Sequence, residues 1–530
     1  MPTTADSSPT GAPDSAATNS PAPAFRVPDR RAGLRGLGRV RSVSWLAGAT
    51  IAALVIRAAL ISRQSLWFDE TATVLVLRGN ATHVWHTIEH LESNPPGYYA
   101  LAWLWTHLTR VSALGMRSLS IAAGVATVPA AWLAARDLAD RRAAQLAAVL
   151  VAASPFLVWY SQEARNYALF ALLATLTIAT FARALRSPTS RTLLVWSLSV
   201  CLLLATHYFG LFLVVGEAAV LLAQLRTRPL HEAVRLATIT AAPIVALSAA
   251  LTPLALQQQG SHRTTWIAAA GSLPHRISGL ASQFIGGPLA SMHTARTAAL
   301  VVASLALIVY AVAARAHRSG ALALVVCLAT TTLLPIAAAL AGNDYILARN
   351  LAPAVPALLC LIAIGMAALP RRAATFGALA LVTVLMLVAD VHQLTRPDRQ
   401  TWRAATAALG PRVDARTVLV APTIDRIPII AYRPGFHDVG ASSTWVTSRI
   451  DLVIGHRRQS PLGRGASSAI PAPAGGFHQT RVWNNRQFRI VTFTSTMPVA
   501  VRLDELERPY GMRLSALLEQ AHGMPPTPTS

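Results

Sequence analysis

Long apolar segments alternate with short polar segments along most of this chain. A membrane-spanning helix needs roughly 20 mostly apolar residues, and eleven segments between positions 43 and 390 meet or approach that length. The predicted spans are 43–62, 117–135, 143–160, 166–184, 191–206, 208–225, 234–256, 296–315, 320–341, 350–369 and 374–390. The pattern predicts an all-α polytopic membrane protein with about eleven transmembrane helices.

The short apolar segment 97–111 decides the topology. If this segment lies in the membrane interface, all the arginine clusters between spans fall on one side, as the positive-inside rule requires. These clusters lie at 136–142, 183–191, 226–235, 315–318 and 371–372. A crossing would turn the clusters outward, so we predict an interfacial helix, a cytoplasmic N-terminus and external segments at 63–116, 257–295 and 391–530.

Changes in composition predict three parts. Residues 1–42 begin with a stretch rich in Pro, Ser, Thr and Ala and continue with an arginine-rich one, which predicts a disordered, basic cytoplasmic N-terminus. Residues 43–390 form the transmembrane domain. Residues 391–530 have fewer apolar runs and more Pro, Gly and Ser, which predicts a small external α/β domain.

Local patterns in the C-terminal part predict its elements. Thr401–Leu409 is predicted as a helix, and Thr417–Ala421 and Ile427–Tyr432 as short strands. Residues 455–480, rich in Gly, Pro, Ser and Arg, are predicted to form a loop.

Composition excludes two classes of protein. The chain is 53% hydrophobic and 13% charged, whereas soluble domains contain about 25% charged residues. The net charge of +23 comes from arginines that lie mostly between apolar segments, which indicates membrane topology and not nucleic-acid binding. The three cysteines, Cys201, Cys327 and Cys360, are far apart in apolar segments and are interpreted as small buried side chains.

Two adjacent carboxylates give the strongest indication of chemistry. Asp69 and Glu70 follow the first predicted span by about eight residues, at the predicted membrane–water boundary. Ionisable residues at a membrane are costly and by default indicate function. The alternative is a loop whose acids are merely solvated. We interpret the pair as catalytic and Asp69 as the general base.

The same loop contains an amphipathic stretch. One helical face, predicted to rest on the membrane, consists of Val84, Trp85, Ile88 and Leu91. Three histidines recur at helical spacing beside Glu89: His83, His86 and His90. They could share a metal ion, but the sequence offers no further ligand spacing, so a water-facing polar surface is favoured and no metal site is predicted.

A second charged motif is S-Q-E-A-R-N-Y at 161–167, at the outer end of the third predicted span. Glu163 and Arg165 could form a structural salt bridge. Alternatively, Glu163 steers an acceptor and Arg165 meets an anionic leaving group, because guanidinium suits phosphate.

Further polar residues lie near span ends. His207 and Tyr208 link the fifth and sixth spans, and Arg349 opens the tenth on the outer side, where it should have an anionic partner. Glu217, near the middle of the sixth span, should be paired or protonated. The 257–295 loop adds charged or titratable residues whose spacing fits no motif: His262, Arg263, His275 and Arg276.

Together, these motifs resemble the glycosyltransferase family 39 type of membrane enzymes, which have the C-type glycosyltransferase fold. That group includes protein O-mannosyltransferases and the aminoarabinose and lipopolysaccharide-core sugar transferases. The resemblance covers about residues 43–390. It rests on Asp69-Glu70, N-P-P-G-Y-Y at 94–99, S-Q-E-A-R-N-Y at 161–167, T-H-Y-F-G-L-F at 206–212 and A-R-N-L-A-P-A-V-P-A at 348–357. One departure is Asn350, where relatives often carry tyrosine.

The resemblance implies a function and a cellular location. A mannose- or arabinose-like sugar would move, with inversion, from a polyprenyl-phosphate donor to an envelope glycan, lipid or protein. The reaction would take place on the outer face of the cell membrane, with the lipid bilayer and the envelope acceptor as partners. No definite cofactor is implied, and a divalent cation is left open.

A single displacement needs a base on the acceptor and positive charge on the departing phosphate. Asp69 would be the base, and Glu70 or Glu163 would orient the acceptor or a cation. The predicted donor-binding residues are Arg165, His207, Tyr208 and Arg349.

Two alternatives are a transporter or flippase of lipid-linked sugars and a non-catalytic protein that binds envelope glycolipids. A transporter would place charged residues at mid-membrane on broken helices, often in repeated halves, whereas here the polar residues gather on one predicted face. A non-catalytic binder would have lost the acids that this chain retains.

Overall fold

The computed structural model describes residues 32–519 except 262–263, 265, 270, 396–398, 414, 441–442 and 456–469. The chain divides into two compact units, Met1–Ser44 and Trp45–Ser530. Several residues named in the sequence analysis lie outside the described residues: 1–31 of the N-terminal segment, His262, Arg263 and most of the predicted loop 455–480.

The described part of the chain is mostly helical. Its helices are α1 Ala32–Ala58, α2 Phe68–Leu77, α3 Ala81–Leu91, α4 Gly97–Thr109, α5 Ala113–Leu138, α6 Arg141–Ala152, α7 Pro155–Ser161, α8 Tyr167–Arg186, α9 Ser190–Thr206, α10 Gly210–Leu225, α11 Leu230–Gly260, α12 Trp266–Ala269, α13 Leu273–Gly286, α14 Ala295–Ala313, α15 Arg318–Leu340, α16 Ala354–Ala368, α17 Arg372–Thr395, α18 Trp402–Ala408, α19 Arg426–Tyr432 and α20 Leu503–Glu507. Helix α5 packs against α6 and α8, and α16 packs against α6 and α14.

Each of the eleven predicted spans coincides with a helix or with the bent pair α6–α7. Among the described helices, six are long and apolar enough to cross a membrane, or seven if the bent pair counts as one span. Four predicted spans correspond to shorter apolar segments: Ser44–Ala58 of α1, and α9, α10 and α16. The predicted total of eleven therefore stays a prediction.

The break between α6 and α7 places the 161–167 motif. The axis bends by 53° between the two helices. Pro155 at the start of α7 has no N–H and cannot donate the hydrogen bond that would continue α6. Buried Arg57 donates to the freed carbonyl oxygens of Val151 and Ala152 at 2.9 and 2.8 Å. Gln393 donates to the Pro155 carbonyl at 2.8 Å. Because unpaired backbone groups are costly in an apolar interior, these side chains make the broken helix tolerable.

The amphipathic stretch of the first loop forms α3, as its pattern predicts. Val84 and Ile88 are buried in the protein, while Trp85 and Leu91 are exposed. Half of the apolar face therefore packs on protein, and a membrane contact remains a prediction only for the other half. Helix α4, at the ambiguous segment 97–111, has 13 residues, which is shorter than a span requires.

The described residues of the C-terminal part form a six-stranded sheet in the order β2-β6-β1-β3-β5-β4. The strands are β1 Arg416–Ala421, β2 Phe436–Asp438, β3 Thr444–Gly455, β4 His478–Asn484, β5 Phe488–Arg502 and β6 Ser515–Glu519. Strands β1 and β3 are parallel, and the other neighbouring pairs are antiparallel.

Two of the three elements predicted for this part are confirmed. Residues 401–409 contain α18, and 417–421 belong to β1. The predicted strand Ile427–Tyr432 is wrong, because these residues form α19. Pro428 lies in the first turn, where a helix tolerates proline. Helix α19 packs against α2, and the Leu66 N–H donates to the Tyr432 hydroxyl at 2.7 Å. Tertiary packing outweighed the local β-like composition.

Candidate active site

Asp69 lies in the first turn of α2, directly before the buried Glu70. Carboxylates are favourable at a helix N-terminus, where the backbone N–H groups are free. Asp69 Oδ2 accepts a hydrogen bond from Arg349 Nη1 at 3.0 Å. The Asp69 side chain is 20% exposed, so it is ion-paired and still accessible to a substrate.

Glu70 is completely buried and its oxygens are occupied by four donors. Oε1 accepts from Arg117 Nε at 2.7 Å and from the Ala164 N–H at 2.8 Å. Oε2 accepts from Arg117 Nη2 at 2.7 Å and from the Trp67 N–H at 3.2 Å. Burial opposes ionisation, but the charge and hydrogen bonds of Arg117, the charge of Arg399 and the Ala164 N–H together outweigh it and lower the pKa of Glu70. Both oxygens of Glu70 thus have partners within the protein, and its expected role in orienting an acceptor or a cation stays a prediction.

Arg117 extends this ion pair into a brace for the loop that precedes Asp69. Its guanidinium also donates to the carbonyl oxygens of Ile61, Gln64 and Ser65, at 2.8, 3.0 and 3.0 Å. We therefore expect Glu70→Gln to lower the free energy of unfolding by about 3–5 kcal/mol, since it leaves a buried arginine without its counter-charge. Thermal unfolding in detergent measures this loss.

The control for that experiment is Glu89→Gln on the neighbouring α3. Glu89 is 31% exposed and lies 3.9 Å from His90, and exposed pairs of this kind contribute about 0–1 kcal/mol. Equal unfolding temperatures for the two variants would contradict the structural role of Glu70.

Glu163 lies in the turn between α7 and α8, and its side chain is only 3% exposed. Oε1 accepts from Arg399 Nη2 at 3.3 Å, while Oε2 is buried and has no hydrogen-bond partner among the described residues. Burial raises the pKa of Glu163 to about 7, although Arg399 acts in the opposite direction. This carboxylate can therefore change its charge near neutral pH.

The sequence left open a structural salt bridge between Arg165 and Glu163. In the structure Arg165 forms a salt bridge with Glu92, a partner that the sequence did not indicate. Its Nη1 and Nη2 atoms donate to the two carboxylate oxygens of Glu92, at 3.1 and 3.4 Å. Nη1 also lies 3.2 Å from Thr73 Oγ1 and 3.4 Å from the carbonyl oxygen of Asp69. Its buried Nε–H has no acceptor in the described part of the chain.

Arg349 lies in a short 3-10 turn, Ala348–Leu351, that precedes α16. The anionic partner predicted for it is Asp69. Its guanidinium carbon lies 5.5–5.7 Å from the ring centres of Trp67, Tyr167 and Trp266, a distance typical of cation–π contacts. The buried Nε–H again has no acceptor among the described residues. Arg349 is thus held by aromatic rings and keeps a free donor.

His207 is buried, and its ring is stacked on Phe170 with the centres 4.4 Å apart. Burial, together with the charges of Arg165 and Arg349, lowers the pKa of His207 to about 3. The imidazole is therefore neutral. Its Nδ1 accepts from the Phe209 N–H at 3.2 Å, which leaves the proton on Nε2. His207 can donate one hydrogen bond close to both arginines.

Tyr208 does not share these contacts. Its hydroxyl donates to Gln258 Oε1 at 3.0 Å, and Gln258 Nε2 donates to the carbonyl oxygens of Ile88 and Asn94. Tyr208 thus braces α11 against the first loop, and the donor-binding role expected for it stays a prediction.

The N-P-P-G motif at 94–97 shows why α4 begins with a glycine. A Cβ atom added at Gly97 would lie 2.5 Å from the Ala205 carbonyl oxygen, closer than such contacts allow. The start of α4 thus packs directly on the end of α9, next to His207. Asn350, where the resemblance departs from its pattern, donates to the Tyr345 carbonyl at 2.9 Å and braces the turn that holds Arg349.

Several other ionisable residues named from the sequence have partners outside this group of residues. Glu217 Oε2 accepts from Trp196 Nε1 at 2.7 Å, and Arg276 is ion-paired with Asp344. His83 Nε2 lies 3.2 Å from the Leu75 carbonyl oxygen, and the His86 and His90 rings are stacked. Among the described residues, no group of three or more His, Cys, Asp and Glu side chains could hold a metal ion.

Sequence reasoning missed several residues that contact the predicted site residues: Trp67, Glu92, Arg117, Trp266 and Arg399. Trp67 had a usable signal, since it stands two positions before Asp69. The others are separated from their partners by 47 to 236 positions along the chain. No local motif could have indicated those pairs.

Comparison with known proteins identifies the fold that carries this site. Residues 93–251 match the family model described as dolichyl-phosphate-mannose-protein mannosyltransferase. The structure of ArnT from Cupriavidus metallidurans in the apo state aligns with a TM-score of 0.58 at 12% identity, over 87% of this chain and 98% of that one. The chain has the C-type glycosyltransferase fold. The resemblance predicted from the motifs is thereby confirmed.

Two further structures show the same fold. ArnT from the same organism bound to undecaprenyl phosphate gives a TM-score of 0.56 at 12% identity, over 85% of this chain and 98% of that one. The archaeal oligosaccharyltransferase AglB from Archaeoglobus fulgidus, in complex with an inhibitory peptide and a dolichol-phosphate, gives 0.50 at 12% identity. That alignment covers 74% of this chain and 64% of AglB. A search of the curated proteins finds no match.

Proposed function

We propose that the protein is an inverting glycosyltransferase that moves a sugar from a polyprenyl-phosphate donor to a hydroxyl acceptor. One observation carries this proposal. The accessible carboxylate of Asp69 is held 3.0 Å from Arg349, and two buried arginine N–H groups, on Arg349 and Arg165, lack acceptors among the described residues. The site therefore combines a base with unused donors suited to an anion.

A phosphate fits those donors. Buried N–H groups without acceptors are rare and costly, and a phosphate oxygen is a strong acceptor for guanidinium. The neutral His207 adds one Nε2–H donor without adding charge. In the described residues Arg165 is paired with Glu92 and Arg349 with Asp69, so positive charge for the phosphate becomes available as Asp69 takes up the acceptor proton.

In the proposed reaction the acceptor oxygen attacks the anomeric carbon while Asp69 takes the hydroxyl proton. The bond between the anomeric carbon and the phosphate oxygen breaks, and both of its electrons leave with the lipid phosphate. Arg349 and Arg165 stabilise that negative charge. A single displacement inverts the anomeric carbon. A phosphate on the unused Nε–H of Arg349 competes electrostatically with Asp69 for the charge of the same guanidinium, which Asp69 contacts at Nη1, and so weakens the hold on the base.

The compared proteins support the donor class. The matching family model describes a dolichyl-phosphate-mannose transferase, and the two ligand-bound structures of this fold contain undecaprenyl phosphate and a dolichol-phosphate. For this chain we propose a mannose- or arabinose-like sugar and an envelope glycan, lipid or protein as acceptor.

We propose that the site faces the outside of the cell membrane. Cysteines introduced at Gly260 and Met497 should then react with a membrane-impermeant maleimide on intact cells, and a cysteine at Arg141 should react only after permeabilisation. The unmodified protein controls for the native cysteines. Labelling of position 141 from outside would show that α4 crosses the membrane.

The proposed activity is tested with purified protein and a panel of labelled polyprenyl-phosphate sugars. Formation of a glycosidic bond together with release of the lipid phosphate supports the proposal. Net translocation of the lipid-linked sugar in vesicles, with no bond formed, would favour a flippase. Binding without either outcome would favour a non-catalytic glycolipid-binding protein.

A further inference from the structure

The chain that follows α17 returns to the candidate active site. Gln400 Oε1 accepts from the Phe68 N–H at 3.2 Å, one residue before Asp69. The Arg403 N–H donates to Ser65 Oγ at 3.0 Å. The short segment 399–403 therefore packs on the loop that leads into α2, and it carries one arginine, Arg399, into the site.

Arg399 is fixed in place by several contacts. Its side chain is 5% exposed, and its guanidinium carbon lies 4.5 Å from the centre of the Trp159 ring. Nη1 donates to the Gln162 carbonyl at 2.7 Å, and Nη2 lies 3.3 Å from both the Trp159 carbonyl oxygen and Glu163 Oε1. With this geometry, one guanidinium edge holds a single oxygen of Glu163.

The other oxygen, Glu163 Oε2, is buried without a hydrogen-bond partner among the described residues. An ionised carboxylate oxygen only accepts hydrogen bonds, and leaving it unpaired in the interior is costly. A substrate hydroxyl is a donor of the right kind. Sugars and glycan acceptors carry several hydroxyl groups.

We propose that Arg399 is a positioning residue for the transfer reaction: it holds Oε1 of Glu163, favours the ionised carboxylate and leaves Oε2 as an unpaired acceptor for a hydroxyl of the sugar or acceptor. The inference rests on the proposed function. It assigns to the C-terminal part of the chain a direct role in the chemistry of the membrane domain.

The charges around Glu163 explain why Arg399 matters. Arg399 and Arg349 favour the ionised carboxylate, whereas burial and the charges of Glu70 and Asp69 oppose it. Among the described residues, Arg117, Tyr160 and Tyr167 also interact electrostatically with Glu163. Because these influences place the pKa of Glu163 at about 7, losing the Arg399 charge would leave the carboxyl protonated at neutral pH.

An infrared titration tests the charge effect without any substrate. The C=O band of protonated Glu163 should disappear with increasing pH in the unmodified protein and be missing in Glu163→Gln. In Arg399→Gln its midpoint should rise by about one pH unit or more, since a neighbouring guanidinium lowers a carboxyl pKa by about 1–3 units. Arg399→Lys keeps the charge and should restore most of the original midpoint.

Arg481→Gln is the matched control. Arg481 also donates to a backbone carbonyl, that of Ala408 at 3.1 Å, but it lies exposed on β4. In Arg481→Gln, the midpoint of the Glu163 infrared band should equal that of the unmodified protein. An unchanged midpoint in Arg399→Gln would overturn the proposal. If Arg399→Gln does not fold, the test uses Arg399→Lys. An unchanged midpoint of the Glu163 infrared band together with normal turnover would then support the proposal. Lost turnover in the folded Arg399→Lys variant would overturn it.

Turnover of a polyprenyl-phosphate sugar then links the charge to the reaction. The acidic limb of the pH–kcat/KM profile should move upward in Arg399→Gln by the same amount as the infrared midpoint. In a Glu163→Gln background, Arg399→Gln should cause no further loss, because the two residues act as a unit. An equal loss in both backgrounds would show that Arg399 acts elsewhere. Absence of turnover in the unmodified protein contradicts the proposed function, whereas the infrared result would still decide the charge effect.

Discussion

Asp69→Asn is expected to lower kcat by about 10²–10⁴, because the amide keeps the shape of the side chain but cannot take the acceptor proton. The variant should fold normally, since the Asp69 side chain is 20% exposed and its ion pair in the described structure is with Arg349. Its affinity for undecaprenyl phosphate should stay the same or increase, because Arg349 loses a competing carboxylate. Turnover of labelled donor and quenching of tryptophan fluorescence measure the two effects.

Asp438→Asn provides the matched control for that experiment. Asp438 accepts from Arg426 at 3.0 Å, the same distance as in the Asp69–Arg349 pair, but it lies in the C-terminal sheet. Its turnover should be normal. Near-full turnover by Asp69→Asn would remove Asp69 as the base and leave Glu163 as the next candidate.

Arg349→Ala is expected to weaken binding of undecaprenyl phosphate by roughly 10- to 100-fold. A hydrogen bond to a charged group contributes about 1.5–3 kcal/mol, and each 1.4 kcal/mol corresponds to tenfold in affinity. Arg349→Lys should recover only part of this, because lysine lacks the planar fork that matches phosphate. Lysine also replaces the flat guanidinium that lies 5.5–5.7 Å from the ring centres of Trp67, Tyr167 and Trp266. Trp67 and Trp266 supply the fluorescence signal for the titration.

The control for Arg349 is Arg426→Ala, which breaks the Asp438 pair and should leave binding unchanged. Raising the salt concentration should weaken binding to the unmodified protein more than to Arg349→Ala, because the attraction is between charges. Normal affinity and normal kinetics in Arg349→Ala would leave Arg349 as only the structural partner of Asp69.

Hydrophobic patterning determined the helices because a membrane-spanning helix can be identified from local composition. Every predicted span coincides with a helix or, for the third span, with the bent pair α6–α7. The third span is interrupted because Pro155 lies within its apolar run. The same local logic failed at Ile427–Tyr432. There a short apolar segment is compatible with either a strand or a helix, and its packing on α2 decided the outcome.

The sequence by itself determined which residues could form the site. Asp69, Glu163, Arg165, His207 and Arg349 each stand in a motif beside the end of an apolar segment, where an ionisable residue is costly without a role.

Only the tertiary structure decided how those residues are used. Of two adjacent carboxylates, Glu70 points into the protein and meets Arg117, while Asp69 meets Arg349 and remains accessible. Arg399 reaches Glu163 across 236 positions of sequence. Such pairs depend on which helix ends come together, and that arrangement is fixed by packing throughout the helical domain, which a local pattern does not contain.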